Sequence, residues 1–179
     1  YPAGQWHHCV AVANGSTLRY WRNGVEIGSG TAYTSGATGT IPFGLWGSIT
    51  IGYNAGRGDD IRIFDTALTA PGIAYLYNSG NGRGVQPFVP DMSVLGVAPV
   101  AAWCPSLDAT GNGTTTLTDL VGSNDGTLTN MDAATDWTAD TSNGGVRALD
   151  FDGTNDYVDM GGGIPTSSIT AMTQSVWVR

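Results

Sequence analysis

The chain has 179 residues, enough for one sizeable β-sandwich or two small modules. Its formal net charge of −8 argues against nucleic acid as a partner, because phosphates require a basic surface. The same charge suits a soluble extracellular surface exposed to calcium. Lysine is absent and Glu26 is the only glutamate, which excludes lysine-based catalysis and a two-glutamate glycosidase site.

The sequence contains no apolar run of the length that a membrane helix requires, so no membrane insertion is expected. No signal peptide begins the chain, although an export signal could precede its first letters, "YPAGQW". Cys9 and Cys104 form neither a metal-binding nor a redox spacing. One disulfide and two buried thiols both remain compatible with them.

The first elements are predicted from "QWHHCVAVANGSTLRYWRNGVEI", which reads as three strands joined by turns. An extended segment would place the larger side chains on one face and the smaller ones on the other, which is a strand pattern: Trp6, His8, Val10 and Val12 against His7, Cys9, Ala11 and Ala13. The turn signal Asn14-Gly15 follows, and Asn23-Gly24 is a strong hairpin signal between "TLRYWR" and "VEIGS".

The histidine and cysteine side chains of this first strand are predicted to be structural. His7 and His8 are adjacent on a strand, so their side chains point to opposite faces and are not expected to share a metal ion. His7 and Cys9 lie on one face, but about 7 Å apart by strand rise, too far for a nucleophile and its base.

A Gly/Thr-rich loop follows at 31–40, then a strand "SITIGY", a turn "NAGRG" and a strand "DDIRIF". Helical spacing in "DTALTAPGIAYLYNSG" predicts one short helix from Pro71 to Asn78, with Gly80 as its C-terminal cap. Residues 83–98 carry two prolines without a clear period and are predicted to be a linker.

The rest of the chain again reads as strands separated by polar loops. Strands are predicted at "PVAAWCPSLD", "TLTNM", "ALDFDG", "YVDMG" and "MTQSVWVR". The predicted fold class is all-β: an antiparallel two-sheet jelly-roll sandwich with one short helix.

These stretches resemble a known family. "GQWHHCVAV", "GSTLRYWRNGVEI" and "DDIRIFDTALTAPGIAYLYNSG" are similar to the second half of a bacterial laminin-G-like domain of the concanavalin A-like lectin/glucanase superfamily. "VAAWCPSLD", "TLTDLVGSNDGTLTN", "ALDFDGTNDYVDMGG" and "MTQSVWVR" resemble the first half of the same family. The resemblance implies a concanavalin A-like sandwich.

The two halves occur in reversed order, and the strands that normally lie between them are missing. Residues 1–82 correspond to the C-terminal half of a module, 83–98 to a linker, and 99–179 to the N-terminal half of a module. The chain is therefore either an excerpt of a tandem array, which we favour, or a circular permutant. Because half a sandwich exposes its inner face, the halves are expected to pack together or against a neighbour.

The resemblance also implies a structural calcium ion. In related sandwiches an aspartate three residues before the arginine of the last strand binds calcium, and that position here is Asp59, next to Asp60. Asp152 and Asp156 in "FDGTNDYVD" offer further oxygen ligands without a complete calcium-loop motif. The alternative is that these aspartates stabilise turns.

Aromatic residues supply the candidate ligand contacts. Most strand aromatics belong to the core, but Tyr20 and Trp21 point to opposite faces, so one of them is expected to be exposed. Trp46, in the predicted loop "PFGLWGS", is the third candidate for stacking on a sugar.

The glucanase signature of this superfamily is absent, so no catalytic residues are predicted. The favoured function is a non-catalytic carbohydrate-binding or adhesive module of a secreted or surface protein, whose partners are glycans or neighbouring modules. The first alternative is a structural spacer or assembly module of a repetitive surface or particle-forming protein, for example on a virion. The second is a glycan-active enzyme domain that uses aspartates.

Overall fold

A computed structural model describes residues 4–15, 17–29, 50–52, 55–81, 95–139, 147–160 and 171–179. These residues form short strands, one α-helix (α1) and a 3₁₀ turn, Asn78–Gly80, directly after it. The elements in chain order are β1 His7–Asn14, β2 Thr17–Arg22, β3 Val25–Ser29, β4 Thr50–Gly52, β5 Ala55–Phe64, α1 Ala70–Tyr77, β6 Ala101–Trp103, β7 Thr116–Leu117, β8 Gly126–Thr129, β9 Trp137–Ala139, β10 Arg147–Asp152, β11 Tyr157–Asp159 and β12 Ala171–Val178.

The strands form two antiparallel sheets. Sheet A has the order β3-β2-β1-β12-β5-β10-β9, and β6 also pairs with β5. Sheet B has the order β4-β11-β8-β7. The predicted all-β fold of antiparallel sheets with one short helix is confirmed, and it is consistent with the expected concanavalin A-like β-sandwich.

Strand β12, near the end of the sequence, lies in the middle of sheet A and pairs with strands from the first part of the sequence. It pairs along its whole length with β1, from His7 opposite Val178 to Asn14 opposite Ala171. On its other side it pairs with β5, where Thr173 faces Phe64. Strands from residues 1–82 and from residues 99–179 are therefore hydrogen-bonded neighbours within one sheet.

The β2–β3 hairpin turns at Asn23 and Gly24, as the sequence predicts. Both residues have positive φ, 51° and 77°, which is the requirement of a type I′ turn. The turn is tied to the neighbouring strand, because the His8 N–H donates to Oδ1 of Asn23 and the Asn23 N–H donates to the carbonyl oxygen of His8.

Strand β5 is longer than predicted. The stretch "NAGRG" was expected to be a turn, but Ala55 to Gly58 continue the strand and pair with β10. Glycine is needed at position 56, because a Cβ there would lie 2.5 Å from the carbonyl oxygen of Arg179. Gly56 thus allows close approach between neighbouring chain segments, and the expectation of a turn was wrong.

Helix α1 occupies the predicted place with a different C-terminal cap. The Thr69 side chain accepts a hydrogen bond from the Gly72 N–H, and Pro71 lies in the first turn. Asn78 adopts the left-handed conformation (φ 49°, ψ 44°) and caps the helix, a role that the sequence analysis gave to Gly80.

Two apolar clusters hold these layers together. The first contains buried residues from both sheets, among them Ile61, Val176, Leu128 and Val158. The second lies under α1 on the other face of sheet A, and its members are Val10, Val12, Trp21, Phe64, Leu68, Ile73 and Leu76. Helix α1 therefore covers part of the outer face of sheet A.

Buried aspartates organise the loops between the strands. Oδ1 of Asp119 accepts hydrogen bonds from the N–H groups of Ala102, Val121 and Gly122, and its Oδ2 accepts from the N–H and the side-chain amide of Asn124. Burial opposes ionisation of Asp119, but these backbone N–H donors outweigh it and lower the pKa of its carboxyl.

We expect Asp119→Asn to reduce the free energy of unfolding by about 1–3 kcal/mol at pH 7, because an amide nitrogen would face backbone donors. The carboxylate stabilises the fold above its ordinary pKa of 3.8, and this contribution is lost as the pH falls through the lower pKa of the folded state. The difference between wild type and variant in urea titrations should therefore shrink below pH 4. Asp65→Asn, at an exposed position, serves as the matched control; an equal loss in the control would contradict the role of Asp119.

The two cysteines are both buried and form no disulfide. Cys9 lies on β1 and Cys104 directly follows β6, so strands β12 and β5 separate them in sheet A. Three strand spacings amount to about 14 Å, well beyond the reach of a disulfide. Of the two open alternatives, the structure has buried thiols.

None of the helices in the described part of the chain has both the length and the apolar character needed to span a membrane.

Candidate functional site

The three aromatic ligand candidates have different positions. Tyr20 is 37% exposed, whereas Trp21 is 6% exposed and packs in the cluster under α1. Burial against Val10 and Ile73 removes Trp21 from the residues that can contact a ligand, which corrects that candidate. Trp46 lies outside the described residues.

Tyr20 stands between small residues on both neighbouring strands. It faces Ala11 on β1 and Gly28 on β3. Because neither neighbour carries a side chain larger than a methyl group, part of the Tyr20 side chain stays accessible to solvent at this point of sheet A. Arg22 lies two residues further along β2, and therefore on the same face of the strand.

The hairpin continues into an exposed edge strand. All five residues of β3 are exposed, including Val25 at 65% and Ile27 at 53%. The register with β2 shifts by one residue where Ile27 is inserted, which is a β-bulge of the kind that protects a sheet edge from pairing. Arg19 and Glu26 form an exposed ion pair across the hairpin at 3.4 Å, a contact that contributes little stability.

On the face of sheet A that carries α1, a buried group of polar and aromatic side chains surrounds His8. Nε2 of His8 and Oγ of Ser175 are 2.8 Å apart and form a hydrogen bond. The rings of His8, Tyr77 and Trp177 lie against one another, with centroid distances of 5.2–6.1 Å. This group joins β1, β12 and the end of α1.

Charged side chains of β5 are buried nearby. Nη2 of Arg62 and Oδ1 of Asp60 are 2.7 Å apart, and both side chains are at most 5% exposed. Asp60 has a positive φ of 48° at the point where the register between β5 and β12 shifts. Oδ1 of Asp59 accepts hydrogen bonds from the Asp60 N–H and from the thiol of Cys104.

Burial determines the protonation states of His8 and Cys104. Burial, with a further contribution from the positive charge of Arg62, lowers the pKa of His8 to about 3, so its imidazole is neutral at pH 7. Burial, followed by the charges of Asp59 and Asp60, raises the pKa of Cys104 well above its usual range. A protonated, buried thiol is not an active nucleophile.

The four predicted calcium ligands lie in two separate places. Asp59 and Asp60 are buried and occupied by the contacts above. Asp152 faces Ala55, four residues before Asp59 and thus about 13 Å away along β5. Oδ1 of Asp152 accepts from the Thr154 N–H, and Asp156 accepts from the Asp152 N–H, as in a side-chain-stabilised turn.

The donor set therefore does not fit one calcium ion shared by the four aspartates. Among the residues described, no group of three or more His, Cys, Asp or Glu side chains is arranged to hold a metal ion. His7 and His8 occupy successive positions of β1, opposite Val178 and Trp177. Calcium binding at Asp59 alone stays a prediction.

Sequence reasoning missed the His8–Ser175 hydrogen bond and the Arg62–Asp60 ion pair. A signal for the second was present, because Arg62 stands between Ile61 and Ile63 in "DDIRIF" and must point away from their face. The first joins residues 167 positions apart, and no local pattern indicates it.

One comparison with known proteins is positive. A laminin G family model, described as concanavalin A-like lectin/glucanases superfamily, matches residues 1–74. The match lies within the stretch whose sequence resembles the second half of such a module, and for residues 99–179 the resemblance stays a prediction. No curated protein and no solved structure matches the chain significantly.

Proposed function

We propose that this chain, whose residues 1–74 match a family model of the concanavalin A-like lectin/glucanase superfamily, is a non-catalytic carbohydrate-binding or adhesive module of a secreted or surface protein. The observation that carries the proposal is the partly exposed side chain of Tyr20 between Ala11 and Gly28. An exposed aromatic ring on a rigid sheet is a surface on which the apolar face of a sugar ring can stack.

The surroundings of Tyr20 add polar groups to this surface. Arg22 on the same face can donate hydrogen bonds to sugar hydroxyl groups. Strands β1 and β12 lie beside the hairpin in the same sheet and pair with each other along their whole length. The Tyr20 ring therefore sits on a continuous sheet and loses little conformational freedom when a ligand binds.

We also propose that the module is not a catalyst, and the amino-acid composition supports this. Lysine is missing, glutamate occurs once, and the buried Cys104 is held as a protonated, unreactive thiol. A hydrolase that uses two aspartates is the outcome that a turnover assay would reveal.

An assembly module is the second candidate, favoured by the exposed strand β3. Val25 and Ile27 present apolar side chains at the edge of sheet A, where neighbouring modules in a repetitive surface protein could pack. This function requires no glycan.

We expect Tyr20→Ala to weaken glycan binding by at least about tenfold, because the stacking surface is lost while the fold is kept. Wild type is first screened on a glycan array, and dissociation constants for the best ligand are then measured by calorimetry. Tyr20→Phe keeps the ring and should bind within a few fold of wild type, and Tyr157→Ala, outside the hairpin, is the matched control.

The same polysaccharides are incubated with the protein and analysed for cleavage products. Binding that Tyr20→Ala leaves unchanged would contradict the assigned surface, and turnover would contradict the non-catalytic assignment. If the protein neither binds nor cleaves any of the glycans, assembly through β3 becomes the better-supported function.

A further inference from the structure

We propose that His8 is an acid-sensitive latch that holds the C-terminal end of α1 and the β2–β3 turn against sheet A. The proposal does not depend on glycan binding. It concerns the junction at which the β2–β3 turn, α1 and β12 all contact His8 of β1.

Each segment is attached to His8 by a specific contact. Its ring lies against the rings of Tyr77, the last residue of α1, and Trp177 of β12, and its Nε2 forms a hydrogen bond with Oγ of Ser175. Its backbone exchanges hydrogen bonds with Asn23 of the hairpin turn.

The end of the helix and the hairpin turn also touch each other. A Cβ placed on Gly24 would lie 3.1 Å from Cδ1 of Tyr77, so the phenol ring rests directly on the turn. Release of Tyr77 from His8 would therefore also remove the cover of the turn. Movement at this junction would open the apolar cluster that includes Ile73 and Leu76.

The junction accepts a neutral imidazole and disfavours a charged one. His8 is 1% exposed, and its Nδ1 has no hydrogen-bond partner within the described part of the chain. An imidazolium carries a proton on both nitrogens, so Nδ1–H would be buried without an acceptor.

The charged groups around His8 do not compensate. Arg62 of β5 is itself positive and opposes protonation. Asp60 is already paired with Arg62, and Asp59 accepts from the Asp60 N–H and Cys104. The turn, α1 and β12 contribute only the neutral side chains Asn23, Tyr77, Ser175 and Trp177.

Acid should therefore favour the state in which His8 reaches water. In the open state His8 regains its ordinary pKa of 6.5, whereas in the closed state its pKa is about 3. Between these values each unit of falling pH raises the opening constant about tenfold. Because α1 has only eight residues, it is expected to detach from sheet A before the two sheets separate.

The test is amide hydrogen exchange of the whole chain at pH 7.0 and 4.5, with rates corrected for the intrinsic effect of pH. We expect protection of the Ile73 amide and its neighbours in α1 to fall up to about a hundredfold at pH 4.5. Protection of Leu128 and Val158 in sheet B should change less than threefold.

His8→Gln is the matched variant, because glutamine can keep a hydrogen bond to Ser175 but cannot be protonated. Protection of α1 in this variant should not depend on pH. If the variant does not fold, the chemical shifts of the wild-type imidazole carbons give the second readout, and they should change together with the α1 amides. Loss of protection in α1 and sheet B together, equal loss in His8→Gln, or no loss at pH 4.5 would each overturn the proposal.

Discussion

A chain shortened to residues 1–170, and thus lacking β12, is expected not to fold. Strand β12 pairs with β1 on one side and with β5 on the other, and it supplies the buried side chains of Met172, Val176 and Trp177. Its removal leaves two unpaired strand edges in the middle of sheet A and opens both apolar clusters.

Circular dichroism and size-exclusion chromatography would measure this result. We expect an expanded chain without a cooperative thermal transition. Removal of residues 1–3, which precede β1, is the matched control and should leave the transition intact. A synthetic peptide of residues 170–179 added in trans should restore a cooperative transition in a saturable way. A shortened chain that unfolds cooperatively by itself would contradict the central role of β12.

Arg62→Met is expected to lower the free energy of unfolding by about 3–5 kcal/mol, because it leaves the carboxylate of Asp60 buried without its partner. The Arg62 and Asp60 side chains are 1% and 5% exposed, so water cannot replace the lost charge. Methionine has a length similar to that of the apolar part of arginine, which keeps the cavity small.

The double variant Arg62→Met/Asp60→Asn provides the test of mechanism. It contains no unpaired buried charge, and asparagine tolerates the positive φ of position 60. It should therefore be more stable than either single variant in urea titrations, with a favourable coupling energy in the double-mutant cycle. A double variant whose loss is the sum of the two single losses would show that the ion pair does not carry the effect.

Local sequence patterns were sufficient for most strands, for α1 and for the Asn23-Gly24 turn, because alternation and turn chemistry act over a few residues. They failed at Ala55 to Gly58, where Gly56 allows close packing against Arg179 and no turn forms. That reason lies more than 100 residues away in the chain, beyond any local pattern.

In the candidate site, too, local patterns predicted some features and missed others. Alternation correctly implied that Tyr20 and Trp21 point to opposite faces, but which of them is exposed depends on α1, which covers the face of Trp21. The aspartates illustrate a second limit. A carboxylate that accepts backbone N–H groups, such as Asp119 or Asp152, has the same sequence appearance as a calcium ligand, and only its neighbours distinguish the two roles.

The central position of β12 has a consequence for the order in which the chain folds. His7 pairs with Val178 and Asn14 with Ala171, so these partners are separated by roughly 160 residues, a high contact order that predicts slow folding. On the ribosome, β1, β2 and β3 emerge first and can form their hairpins, but the edge of β1 must wait for nearly all of the remaining chain. During that interval the exposed edge is open to pairing with another nascent chain. Synthesis rate and chaperone binding at β1 would then govern the yield of folded protein, independently of the stability of the finished sandwich.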